Sequence, residues 1–166
     1  MSVITINQTE YPIPDDPRTT LLDFLHQHLS MFGTKKGCDH GQCGSCTVLV
    51  DGKRVNSCLV FAFQLEDCSV TTIEGISEEG ALHPVQQAFI DNDAFQCGYC
   101  TPGQICSSVA VMSELARGEP STLSFDQDYT RKEDLKERMS GNLCRCGAYP
   151  NILAAVEEVM EKEATS

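Results

Sequence analysis

Gln96-Cys97-Gly98-Tyr99-Cys100-Thr101-Pro102-Gly103 sets two thiols three positions apart and then begins a helix at once. Thr101 is placed to serve as N-cap, and Pro102 stands where a first-turn proline forfeits no hydrogen bond. After 43 intervening residues comes Cys144, within Gly141-Asn142-Leu143-Cys144-Arg145-Cys146-Gly147, and Ala148-Tyr149-Pro150 leads into another helix. A helix N-terminus carries partial positive charge and favours anions. Metal-bound thiolates are anionic. The two pairs therefore read as halves of one four-sulfur site made of Cys97, Cys100, Cys144 and Cys146.

The whole chain has 166 residues, enough for one ordinary domain or two small ones, and its 41 % hydrophobic share supports packed cores. Its net charge of -12 argues against nucleic acid, because neutralising phosphates takes Lys and Arg. Ten cysteines would suggest disulfides in a short secreted chain. The start, Met1-Ser2-Val3-Ile4-Thr5-Ile6, shows neither a basic region followed by an apolar run nor a twin-arginine segment. No stretch is apolar for long enough to cross a membrane. The expectation is a cytoplasmic protein whose clustered cysteines ligate metal, periplasmic only if a twin-arginine leader has been removed.

Upstream, Gly33-Thr34-Lys35-Lys36-Gly37-Cys38-Asp39-His40-Gly41-Gln42-Cys43-Gly44-Ser45-Cys46 spaces its thiols as C-x4-C-x2-C, and Cys58 follows after eleven further residues. That is the spacing of a plant-type [2Fe–2S] ferredoxin loop. Glycines let such a loop wrap closely and aim backbone N–H groups at sulfur. Structural zinc is the rival at both sites, since it also uses C-x2-4-C pairs. For Cys97, Cys100, Cys144 and Cys146 spacing alone leaves zinc and iron–sulfur open, and the ferredoxin-type neighbour tips the reading to iron–sulfur. Cys68 and Cys106 are left over and read as small packed hydrophobes. His26, His28, His40 and His83 read as surface, boundary or structural positions.

The rest of the chain divides around these motifs. Val3 to Asn7 alternates as a strand, with a turn at Gln8-Thr9-Glu10 and a second extended piece around Tyr11–Ile13. Thr20 to Leu29 is a helix with Leu21, Leu22, Leu25 and Leu29 on one face. Asp51-Gly52 turns a hairpin between Thr47–Val50 and Lys53–Val55, carrying Cys58 back beside the loop. Leu59 to Leu65 reads as core, and Val70–Ile73 as a short strand. Beyond a glycine-containing polar segment the period becomes helical, with helices at His83–Asp91, Gly103–Arg117, Thr130–Ser140 and Asn151–Glu163, and a loop over 119–129. The predicted fold is α+β: an N-terminal β-grasp ferredoxin-like domain over 1–76, a linker over 77–82, and a four-helix domain over 83–166 that holds the second site.

From about Val3 to Val159 the chain resembles the iron–sulfur small subunit of the xanthine dehydrogenase/aldehyde oxidoreductase family of molybdenum hydroxylases. The resemblance rests on Gly37-Cys38 to Cys46, on Gln96 to Gly103 and on Gly141 to Gly147, eight cysteines in one order. Cys100 to Ser108 and Cys144 to Tyr149 are similar to bacterial three-subunit aldehyde oxidoreductases in particular, although the twin-arginine leader of that branch's periplasmic members is missing.

The resemblance implies a ferredoxin domain followed by a four-helix domain, each with a [2Fe–2S] cluster. It implies a large subunit holding molybdopterin, usually as the cytosine dinucleotide, and a medium subunit holding FAD. It also implies that Gln96 hydrogen-bonds the pterin and that Cys146 lies beside it. Gln104 has no such support and reads as a surface or interface residue. Electrons would pass from molybdenum to the cluster of Cys97, Cys100, Cys144 and Cys146. They would continue to that of Cys38, Cys43, Cys46 and Cys58, and then to flavin, during oxidation of an aldehyde to a carboxylic acid. The other readings are a xanthine dehydrogenase small subunit, a free-standing two-cluster electron carrier and a zinc-stabilised interaction protein. No nucleic acid or membrane partner is expected.

Overall fold

A computed structural model of the chain describes residues 2–77, 80–125 and 128–165. The first strand, β1 (Val3–Ile6), alternates inward and outward, with Ile4 and Ile6 fully buried. It reverses through Asn7 and Gln8, both at positive φ (48° and 67°), into β2 (Thr9–Pro12). The reversal thus sits before Thr9, one step ahead of the expected Gln8-Thr9-Glu10 turn. Paired positive φ values make the turn twist with the strands. Asn7 holds it by donating Nδ2 to Thr72 Oγ1 at 2.9 Å and accepting from Thr72 N at 2.9 Å.

The expected helix after Thr20 is short and then widens. Thr20 Oγ1 caps it by accepting from Asp23 N at 3.1 Å, α1 covers Leu21–Asp23, and a π-helical turn runs over Phe24–His28. The wider turn buries Phe24 beside Leu21, Leu22 and Leu25 and leaves Leu29 only half-buried. β3 (Thr47–Val50) and β4 (Lys53–Asn56) pair through Asp51 and Gly52, at φ 48° and 76°. β5 (Ser69–Thr71) lies parallel to β1 and antiparallel to β3, so the sheet order is β2-β1-β5-β3-β4. Ile4, Ile6, Leu21, Phe24, Leu25, Val48, Leu65 and Val70 form the core between sheet and helix.

Leu59–Leu65 departs from its expected core role. A 3₁₀ turn over Ala62–Leu65 buries only Ala62 and Leu65, while Leu59, at the end of a preceding turn over Ser57–Leu59, is 60 % and Phe63 48 % exposed. Alternate facing along a turn cannot bury all seven, and this segment lies outside the sheet.

The second half is helical, as expected. α2 (Pro84–Asp91) is capped by His83, whose ring accepts from Val85 N at 3.2 Å, with Gln86 reaching back to His83 N at 2.8 Å. Then come α3 (Thr101–Ala116), α4 (Arg131–Met139) and α5 (Tyr149–Ala164). Thr101 lies inside the first turn of α3, with Cys100 in the cap position it was expected to fill. Thr130 and Glu133 form the expected capping box of α4, bonding at 3.2 Å and 2.8 Å. A 3₁₀ turn at Thr122–Phe125 interrupts the expected 119–129 loop, of which residues 126 and 127 lie outside the described residues. The same holds for Glu78 and Glu79 of the expected 77–82 linker. Val85, Phe89, Ile105, Val111, Leu135, Ala155 and Val156 form the helical core, and Leu49 of β3 packs into it. No helix among the described residues is long and apolar enough to cross a membrane.

The halves meet where side chains are absent. A Cβ on Gly103 of α3 would stand 2.5 Å from the Gly44 carbonyl oxygen, and one on Gly44 would stand 2.4 Å from the Gly141 oxygen. An alanine in a helix ordinarily stabilises by about 0.8–1.0 kcal/mol over glycine. Gly103→Ala is expected to do the opposite, lowering stability by about 1–3 kcal/mol through overpacking. Chemical denaturation checks the sign, and a stabilised variant would refute the close contact.

Candidate metal centres

The loop from Gly37 to Cys46 and the turn after β4 bring Cys38, Cys43, Cys46 and Cys58 into one group. Cys43 is the side-chain neighbour of Cys38, Cys46 is that of Cys58, and Cys38 also acts on Cys58 through its charge. Backbone donors surround Cys38, whose sulfur accepts from Gln42 N at 3.2 Å and from Cys43 N at 3.4 Å. The His40 N–H, joined by those of Cys43 and Gln42, brings its thiol down to about 6 against the effect of burial. Burial first, and then the adjoining Cys46 thiol, pushes Cys58 up to about 12. The loop has little spare room, since a Cβ on Gly37 would lie 2.7 Å from Cys43 Sγ.

Cys97, Cys100, Cys144 and Cys146 form the second group in the same manner. Cys97 has Cys146 as its thiol neighbour, and Cys100 has Cys144. Cys97 is lowered first by the Tyr99 backbone N–H and then by Cys146. Cys100 is pushed up to about 12 by burial and by the Cys144 thiol, with the Gln104 side chain opposing. Burial opposes ionisation of Cys144. The Ala148 N–H at 3.4 Å, the Cys100 thiol and the N–H groups of Cys146 and Gly147 outweigh it, so its pKa falls. Tyr149 Oη accepts from Cys144 N at 2.8 Å and steadies the turn.

In both groups the thiols approach two by two. Structural zinc draws all four sulfurs around one ion at about 2.3 Å. A two-iron cluster takes two thiolates at each iron and accepts N–H bonds to its sulfurs. The donor set and its pairing fit the two-iron group.

The ligand segments of the two groups touch. Leu143 N donates to the Cys43 carbonyl at 2.9 Å, and Tyr99 Oη to the Lys36 carbonyl at 2.7 Å. Asn142, buried at 4 % exposure, gives Nδ2 to the Gly44 carbonyl at 2.9 Å and to Thr47 Oγ1 at 3.2 Å. It accepts at Oδ1 from Ser107 at 2.6 Å and at its carbonyl from Gln104 Nε2 at 2.9 Å. Gln104 is therefore an internal tie at 1 % exposure within this chain, where a surface or interface place was expected. Its place four residues after Cys100, on the helix face that turns toward the cysteines, was the available signal. Nothing in the spacing marked Asn142.

Gln96 and Cys97 are exposed, and Cys146 is half-buried. Phe95, Tyr99, Leu143 and Tyr149, all close in sequence to these ligands, are exposed as well. Near Cys58, Phe61 and Phe63 stack with ring centroids 6.0 Å apart. Cys106 is buried in the helical core and raised to about 12 by desolvation, and Cys68 packs at the edge of the sheet core, so both behave as the packed thiols expected. His40 is exposed, with Nδ1 2.5 Å from the Cys38 carbonyl.

Two family models match the chain. Residues 4–75 match a "2Fe-2S iron-sulfur cluster binding domain" and residues 72–157 a "[2Fe-2S] binding domain". The chain is 54 % identical over 158 residues to the aldehyde oxidoreductase iron-sulfur-binding subunit PaoA of Escherichia coli, covering 93 % of this chain and 69 % of that protein. It is 38 % identical to the caffeine dehydrogenase subunit gamma of a Pseudomonas species, over 94 % of this chain and 88 % of the other. Among solved structures, quinoline 2-oxidoreductase from Pseudomonas putida 86 superposes with a TM-score of 0.83 at 37 % identity, covering 98 % of this chain and 93 % of the matched one.

In metal-free protein the thiols should react unequally, because the thiolate is the nucleophile. Cys38 is expected to be alkylated first, at a rate that rises as pH passes about 6 and then levels. Cys58 and Cys100, both near 12, should resist at neutral pH. Mass spectrometry after pulsed iodoacetamide measures the order, and equal labelling of Cys38 and Cys58 would contradict the described environments.

Proposed function

The chain belongs to the iron–sulfur small subunits of the xanthine dehydrogenase/aldehyde oxidoreductase family, with two [2Fe–2S] domains in series, and from that premise we propose that it is the electron-relay subunit of a molybdenum hydroxylase. One observation carries the reading. The two cysteine tetrads lie on segments joined by the bond from Leu143 N to the Cys43 carbonyl, so a single hydrogen bond links the backbone of one ligand, Cys43, to the residue before another, Cys144.

Cys38, Cys43, Cys46 and Cys58 would hold one cluster, and Cys97, Cys100, Cys144 and Cys146 the other. When bound, such clusters supply one-electron carriage at a potential set by ligation, N–H bonds and burial. The chain's own contribution is to fix thiolate geometry, to aim the N–H groups of His40, Gln42, Cys43, Tyr99 and Ala148 at sulfur, and to keep Cys46, Cys58 and Cys144 out of water.

The partners proposed are a large subunit with molybdopterin, as the cytosine dinucleotide, and a medium subunit with FAD. The exposed edge of the second tetrad, with Gln96, Cys97 and half-buried Cys146, is assigned to the molybdopterin-holding partner. Gln96 would hydrogen-bond the pterin and Cys146 would lie beside it. Exposed Leu59, Phe61 and Phe63, just past Cys58, give the first tetrad an apolar rim suited to burial against the flavin-holding partner. Residues 1–76 are taken as the ferredoxin domain and 83–166 as the helical one, joined through 77–82. The reaction proposed for the assembly is oxidation of an aldehyde to a carboxylic acid. The likeness to the E. coli aldehyde oxidoreductase subunit supports that choice.

Reduced protein is expected to show two distinct low-temperature EPR signals and about four iron and four sulfide per chain. Cys97→Ser or Cys146→Ser should abolish turnover of the assembly with flavin-side acceptors while the spectrum of the other cluster persists. Cys43→Ser should remove that other cluster instead. Full steady-state turnover in either of the first two variants would refute the relay.

A further inference from the structure

Away from the cysteines, four charged side chains meet between the two halves of the chain. Arg54 of β4 donates Nε to Glu114 Oε1 at 2.9 Å and Nη2 to Glu114 Oε2 at 3.0 Å, a bidentate fork onto α3. Its third nitrogen, Nη1, donates to the Arg138 carbonyl at 2.5 Å, at the end of α4. Arg138 gives Nη1 to the same Glu114 Oε2 at 3.2 Å, Nε to Asp134 Oδ2 at 3.0 Å and Nη2 to the Glu119 carbonyl at 2.5 Å. Every guanidinium nitrogen of both arginines is thus engaged. The Arg138 and Asp134 side chains are 6 % and 8 % exposed and that of Glu114 15 %, so water screens this network far less than it does a surface pair.

The network ties together elements that also carry cysteines of each tetrad or lead to them. Arg54 precedes Cys58 by four residues, Arg138 precedes Cys144 by six, and α3, which carries Glu114, begins right after Cys100. A polar cavity of about 230 Å³, lined by Thr47, Arg54, Asn56, Ser107 and Asn142 among others, separates the network from the Asn142 ties. Beside the packing of Leu49 and the bonds from Leu143, Tyr99 and Asn142, this network adds a tie on the other side of the cavity, and it depends on a carboxylate that serves two arginines.

We propose that Glu114, through its fork to Arg54 and its bond to Arg138, is the positioning residue that fixes the first half of the chain on the second and so sets the separation of the two cysteine tetrads. The proposal rests on the relay reading, in which that separation governs the rate of electron passage.

Frozen-solution EPR of the fully reduced, cluster-loaded chain tests it, because the magnetic dipolar splitting between two reduced clusters falls with the cube of their distance. Glu114→Gln leaves one amide oxygen where two arginines need three contacts. The splitting in this variant is expected to shrink or smear into a distribution, while iron, sulfide and the g-values of each cluster match the unaltered chain. Arg54→Lys keeps the charge but loses the fork. It lies at the more exposed end of the network, and it should give an intermediate loss even if Glu114→Gln fails to fold. A purely stabilising salt bridge would lower the unfolding midpoint in both variants without moving the splitting, and that result would overturn the proposal. A single cluster signal from the unaltered chain would instead overturn the relay reading, and the proposal with it.

Discussion

The hydrogen bond from Leu143 N to the Cys43 carbonyl sets the terms for much of the surrounding structure. For that bond to form, two loops belonging to different folding units must come within backbone contact. Side chains are excluded where they cross, so Gly44 and Gly103 face carbonyl oxygens at distances that leave no room for a Cβ. The polar groups sealed in by such an approach need partners, since an unpaired buried amide or carbonyl costs about 1–3 kcal/mol. Asn142 supplies them, using its carbonyl, both side-chain polar atoms and bonds to four other residues. Close approach and polar satisfaction therefore come as one requirement.

The inner and outer surfaces of the cysteine segments are built differently for this reason. Beside the apolar packing of Leu49, the contacts between the two halves include directional ones: hydrogen bonds from Tyr99, Leu143 and Asn142 and the fork from Arg54. Directional bonds specify a distance, which apolar packing does loosely. On the outside, Leu59, Phe63, Phe95 and Tyr149 stand exposed. Such residues gain by being covered and tolerate a range of partner shapes, as suits a surface to be buried against another subunit.

Most of the architecture was legible because its signals are local. Asp51-Gly52 between Thr47–Val50 and Lys53–Val55 dictates a hairpin, Thr130 and Glu133 dictate a helix start, and the eight cysteines at fixed spacings are ones the structure brings close pair by pair. What was not legible depends on long-range packing. Leu59–Leu65 has the composition of core but follows Cys58 around the outside of the sheet, where only Ala62 and Leu65 find cover. Gln104 looks like a surface amide in a helix, and only the arrival of Asn142 from 38 residues away makes its burial tolerable. The π turn after Asp23 has no sequence marker either, since it exists to place Phe24 and Leu25 in the core together.

The pairing of thiols within each tetrad explains how the chain tolerates four ionisable sulfurs at one place. Cys38 and Cys97 sit near solvent, draw backbone N–H groups and ionise easily, whereas Cys58 and Cys100 are desolvated beside another thiol and hold their protons to about 12. Without metal, each site therefore carries a partial complement of charge and avoids the repulsion of four anions. Metal ligation requires every thiol to deprotonate, so filling a site must expel protons from Cys58 or Cys100. Cationic metal bound to the sulfurs offsets the cost of that expulsion. The burial that raises Cys58 and Cys100 thus couples the filling of each site to the release of protons.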